Sequence, residues 1–138
     1  ARVEAQQSAR YALERLAGEL REAGSDPRVS GLAAVVVAEP VRVTLQRDLN
    51  GNGLLDPTRE RVTYLLRPGE STLRREAGGG AQPVIERVRV FRLTYLDRAG
   101  AETTDPEAVI AVRIRLEVGE SGAAVRMETQ ATLRNRLW

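Results

Sequence analysis

Asp48, Asn50, Asn52 and Asp56 are spaced like the oxygen donors of a calcium loop. With Asp48 as position one, Asn50 and Asn52 fall at three and five, Gly53 follows, Leu54 offers a backbone carbonyl at seven, and Asp56 stands at nine. This is the first half of an EF-hand pattern. The second half departs from it: position twelve is Arg59 where a bidentate glutamate belongs, and Glu60 comes one residue late. So lightly charged a site would hold calcium only at about 10⁻⁴–10⁻³ M, the range of extracellular modules. Given that broken second half, the plainer reading is that Asn50-Gly51 and Asn52-Gly53 are turn dipeptides that join two strands and bind nothing.

Arginine makes the second pattern. Arg87/Arg89, Arg113/Arg115 and Arg134/Arg136 alternate, so each pair shares the polar face of its strand, with Arg74-Arg75 nearby. A stripe of Arg113, Arg115, Arg134 and Arg136 could track DNA phosphates. Glu86, Glu117 and Glu128 lie on the same strands, however, and favour a solvated face with cross-strand ion pairs. Aromatic residues are only 4% of the chain, too few for a platform that stacks single-stranded bases. Asp97, Glu102, Asp105 and Glu107 cluster in one loop, but acid–base chemistry needs a pocket and a perturbed pKa, and the sequence suggests neither.

Composition narrows the chemistry further. There is no histidine and no cysteine, which removes the usual ligands of zinc, copper and haem iron and the usual nucleophile–base pairs. Calcium is the one cofactor the residues leave open, and an enzyme is not expected. The 21 basic residues are all arginine and are nearly cancelled by 19 acidic ones, so the net charge of +2 argues weakly for nucleic acid or acidic lipid. Arginine without lysine suggests GC-rich coding or a hot environment, and the lack of cysteine fits. At 138 residues and 42% hydrophobic content, the chain reads as a single ordered domain with a real core.

The element that must position these residues is a helix over 2–23. Ala9, Leu13, Leu16 and Leu20 recur at helical spacing, while Arg10, Glu14, Arg15, Glu19, Arg21 and Glu22 cover much of the remaining surface. Gly24 ends it as a C′ glycine and Ser25-Asp26-Pro27 prevents continuation. The chain begins inside this helix with no cap before it, which reads as a truncated start. After it come strands: an apolar run over 32–38, Val41 to Leu45, Val62 to Leu66, a Pro68-Gly69 turn into 71–77, Val88 to Leu96, Ile110 to Val118, and Val125 to Leu133. A phase slip near Val90 predicts a bulge, and Gly78-Gly79-Gly80 with Pro83 a loose connection. Tyr11, Tyr64, Tyr95 and Phe91 are expected in the core or its rim, and Trp138 over the edge of the last strand. The expected fold is α+β: a helical spine over 1–24 packed on one antiparallel sheet of about five to seven strands over 29–138.

In this order the parts resemble type IV pilins and type II secretion pseudopilins, most of all their W-type minor pilins and J-type pseudopilins. The resemblance is carried by Leu16-Ala17-Gly18-Glu19-Leu20-Arg21-Glu22-Ala23-Gly24, by Asp48-Leu49-Asn50-Gly51-Asn52-Gly53, by Arg61-Val62-Thr63-Tyr64-Leu65-Leu66 and by Ser71-Thr72-Leu73-Arg74-Arg75. Val90-Phe91-Arg92-Leu93-Thr94-Tyr95-Leu96-Asp97 and the closing Leu133-Arg134-Asn135-Arg136-Leu137 extend it over nearly the whole chain. The resemblance implies a subunit of a filament or of its tip in the cell envelope, serving motility, secretion or DNA uptake. Such proteins are made as prepilins and anchored in the inner membrane by an apolar N-terminal helix, which this sequence lacks. The implied partners are other pilin subunits, met through the helix flank with Arg10, Glu14 and Arg21. The alternative is a free-standing secreted binding module, calcium-dependent if the 48–60 loop binds.

Overall fold

The computed structural model of the chain describes residues 2–24, 33–47, 61–120 and 122–133. Helix α1 spans Arg2–Glu22 and is followed by β1 (Val35–Glu39), β2 (Arg42–Gln46), β3 (Arg61–Leu66), β4 (Leu73–Glu76), β5 (Ala81–Ile85), β6 (Val88–Leu96), β7 (Ala111–Val118) and β8 (Val125–Thr132). The strands form two antiparallel sheets, one of five in the order β1-β2-β3-β4-β5 and one of three in the order β6-β7-β8. Both are meanders in which each strand pairs with its sequence neighbour.

This corrects the expected α+β fold of a helix on a single sheet of five to seven strands. Among the described residues the architecture is mostly β, with eight strands in two sheets and one α-helix. The division falls at Glu86-Arg87, where Arg87 adopts a left-handed backbone with φ of 59°. A non-glycine residue rarely enters that region, and doing so here turns the chain out of β5 and starts a new sheet with β6. Hydrogen bonds still link the two sheets outside their ladders. Leu93 N–H donates to Pro40 C=O in the β1–β2 turn at 2.8 Å, and Val88 N–H donates to Ser71 C=O at 2.8 Å. Alternation reveals strands, but it does not say which of them share a ladder.

Most strands lie where the pattern placed them. The phase slip near Val90 is a register shift between Val88 and Val90 in the β6–β7 ladder. Gly69 has the positive φ of 78° that the predicted Pro-Gly turn requires. β5 is the strand the sequence hid. Its Pro83 and the preceding glycines read as a connection, yet β5 is an outermost strand, where a proline costs no ladder bond.

One core joins all three layers. Leu16 and Leu20 of α1, Val43 and Leu45 of β2, Val62 and Tyr64 of β3, Ile114 and Leu116 of β7, and Leu133 are all essentially inaccessible. Helix α1 lies against β8 and β7 and touches β5. Gly24, with φ of 82°, turns the chain off the helix and donates its N–H to Gln46 C=O at 2.7 Å.

Candidate assembly surface

A helix of 3.6 residues per turn has two sides when every fourth or third position is apolar, and α1 has two. Ala9, Leu13, Leu16 and Leu20 are buried as their spacing implies, joined by Ala12, Ala17 and Ala23. Glu4, Gln7, Ser8, Arg10, Tyr11, Glu14, Arg15 and Glu22 occupy the opposite arc and are exposed. Tyr11 is 60% exposed, which corrects its assignment to the core or rim. Gly18 lies on the same arc, and a methyl group built on it would meet nothing within 4 Å. A glycine inside a helix costs about 1 kcal/mol relative to alanine. Nothing within the described chain requires one here.

The buried side is fixed by a polar clamp as well as by packing. Glu19 is 8% exposed, so it does not belong to the helix surface with Arg15 where its charge suggested. Its carboxylate accepts from Arg75 of β4 at 2.9 Å (Nε) and 2.8 Å (Nη2), and also from the Tyr64 hydroxyl of β3. Arg47, just past β2, stands 3.6 Å from Glu19 and 2.6 Å from Glu22. Burial alone would raise the Glu19 pKa. The Arg75 and Tyr64 hydrogen bonds and the charges of Arg75 and Arg47 outweigh it and hold the carboxyl below its ordinary value. Burial, together with the neighbouring Glu19 charge, pushes Tyr64 well above the ordinary tyrosine value. Arg75 is held charged by its bond to Glu19. Three segments of chain thus converge on one carboxylate of α1 and fix which side of the helix faces in. On the helical wheel Glu19 sits at the border of the two sides, with Ala12 and Ala23 next to it on one side and Arg15 on the other, so its position alone does not mark it as buried.

Arg10, Glu14 and Arg21, expected on the helix face opposite the sheet, run along the border of the exposed arc beside β8. With Leu13, Ala17, Met127, Glu128 and Thr129 they line an open groove of about 310 Å³ between α1 and β8. A second groove, of about 610 Å³, lies between the first turns of α1, β5 and the β7–β8 turn, with Glu4, Glu86, Arg87 and Glu120 among its lining residues.

The arginine stripe is only partly in view. Arg113 and Arg115 are exposed on the outer face of β7, while Arg134 and Arg136 lie outside the described residues. Arg115 pairs with Glu117 at 2.9 Å, Arg126 with Glu117 at 3.3 Å, and Arg113 with Glu128 at 3.8 Å. Most of this face is therefore neutralised within the chain, although Arg92 stands directly across the ladder from Arg115. The calcium-loop residues Asp48, Asn50, Asn52, Leu54 and Asp56 also lie outside the described residues, as does Trp138. Among the described residues no group of three or more histidine, cysteine or acidic side chains could hold a metal ion. Of the 97–107 carboxylates, Asp97 and Asp105 serve their own loop: Asp97 accepts from Ala99 N–H and Ala101 N–H, and Asp105 caps the short turn Pro106–Ala108 through Glu107 N–H. No helix of the described residues is long and apolar enough to cross a membrane. Compared with protein-family models and with curated proteins, the chain matches none.

Proposed function

We propose that the chain is a structural subunit of a pilin-type filament, a minor pilin or pseudopilin working in the cell envelope. It contacts other subunits through the exposed flank of α1. The observation that carries this is the contrast across the helix: one side is clamped by Glu19 and an apolar stripe, while the other presents an exposed Tyr11 and a half-buried Gly18 at which an added methyl group would meet nothing within 4 Å. A solvent-facing tyrosine and a bare glycine suit contact with another surface better than contact with water. The inner-membrane anchor, the periplasmic position of the domain and any role in DNA uptake belong to the same proposal and rest on the family resemblance. The calcium-dependent module gains no support, since its loop lies outside the described residues.

The chain has no cysteine, so a single engineered one reports cleanly. In the full-length protein in its own cells, Tyr11→Cys and Gly18→Cys are expected to cross-link subunits under mild oxidation, and Ala99→Cys on the exposed 97–107 loop is not. Equal cross-linking at all three positions contradicts the proposal.

A further inference from the structure

The second feature that points outward is the free edge of β8. β8 is an outermost strand of its sheet, and its register with β7 runs without a shift from Val118–Val125 to Ala111–Thr132. Leu133 N–H donates to Ile110 C=O, which sets the alternation of the ladder. Val125, Met127, Thr129 and Ala131 therefore turn their backbone groups toward β7. Those of Arg126, Glu128, Gln130 and Thr132 turn away from it, and among the described residues they meet no partner. β5 is blunted by Pro83, whereas β8 contains no proline, glycine or bulge. Beside this edge runs the groove walled by Leu13, Ala17, Met127 and Thr129 and rimmed by Arg10, Glu14 and Glu128.

We propose that this edge and groove form a two-fold interface with a second copy of the chain, β8 pairing antiparallel with β8. Arg126 and Glu128 already lean on Glu117 and Arg113 of their own chain at 3.3 and 3.8 Å, but both side chains stay largely exposed, and their opposite charges select the occupant and the register. A two-fold axis at Met127 sets Arg126 opposite Glu128 of the second copy, and symmetry repeats the pair. Both residues turn their amides outward, so each pair closes two backbone hydrogen bonds as well as an ion pair. Met127, half-buried at the groove, meets its counterpart. An axis at Glu128 would oppose that carboxylate with itself, and one at Thr129 would face Arg126 with Thr132 and lose both ion pairs. On the rim, Arg10 and Glu14 are opposite charges one turn apart, which an antiparallel copy of the helix can match. Closing the edge in this way removes a template on which strands could otherwise add without limit. The pairing goes beyond the filament reading and uses residues that the Tyr11 and Gly18 cross-links do not probe.

Sedimentation equilibrium of the chain tests it. The wild type is expected to dimerise reversibly, and Arg126→Glu and Glu128→Arg, each placing two like-charged pairs across the interface, are each expected to weaken the dimer about tenfold or more. An equimolar mixture of the two variants restores both ion pairs, and it is expected to form a heterodimer as tight as the wild-type dimer. A wild type that remains monomeric at about 1 mM, a dimer indifferent to both reversals, or a mixture no tighter than its components overturns the proposal. Circular dichroism checks that the variants fold. Should one fail to fold, hydrogen exchange of the wild-type Arg126 and Glu128 amides decides instead: slowing with concentration supports the pairing, and no change overturns it.

Discussion

The two sides of α1 share one sequence segment and have opposite fates. Toward the sheets, leucines and alanines interlock with both β layers, and Glu19 is held by Arg75, Tyr64 and Arg47. Away from them, Tyr11 and Gly18 contribute little to the isolated fold. The difference separates what the helix does for its own domain from what it offers to others. A residue can be dispensable for folding and still belong to an interface, and the outward side of α1 has that character.

Substitutions on the two sides should therefore diverge, and the inward ones come first in size. Leu20→Ala empties a fully buried position, and denaturant unfolding should show a loss of about 3 kcal/mol. Glu19→Gln keeps the shape but leaves Arg75 without its anion and Arg47 with Glu22 alone, at a cost of about 2 kcal/mol. Its pH dependence is distinctive. The folded Glu19 pKa lies below the ordinary 4.5, so its contribution is complete above that value and lost as pH falls through the folded pKa. The acid limb of the wild-type stability curve should accordingly flatten in Glu19→Gln. On the alkaline side the sign reverses. Tyr64 and Tyr95 are raised above the ordinary 10.0, Tyr95 mainly by burial, so stability should hold below that value and fall above it.

On the outward side the expected effects are smaller, and one has the opposite sign. Gly18→Ala meets open space in a helix and should stabilise the isolated chain by about 0.5–1 kcal/mol, seen as a higher denaturation midpoint. Tyr11→Arg should change stability by less than about 0.5 kcal/mol. A loss as large as that of Leu20→Ala at either position would erase the contrast between the two sides.

The strands and the helix were legible because their periods differ. Leu13, Leu16 and Leu20 recur at helical spacing, Ile114 and Leu116 alternate, and the slip near Val90 marks a real bulge. What the sequence concealed depends on contacts between distant segments. Glu19 looks like any surface glutamate until Arg75 and Tyr64, far along the chain, arrive beside it. Pro83 argues against a strand unless β5 is known to be outermost. The split into two sheets turns on the left-handed backbone of Arg87, a residue with no side-chain preference for it. Of the proposed contact residues, Arg10, Glu14 and Arg21 could be named from the helical wheel. Tyr11 could not, because an aromatic on a helix is more often buried.

The exposed flank of α1 is tested most directly by Tyr11→Arg in the full-length protein, expressed in the cells that make it and scored for incorporation into the filament. The proposal predicts a protein that folds and accumulates like the wild type yet is lost from the assembled fraction. Normal incorporation of Tyr11→Arg would contradict it.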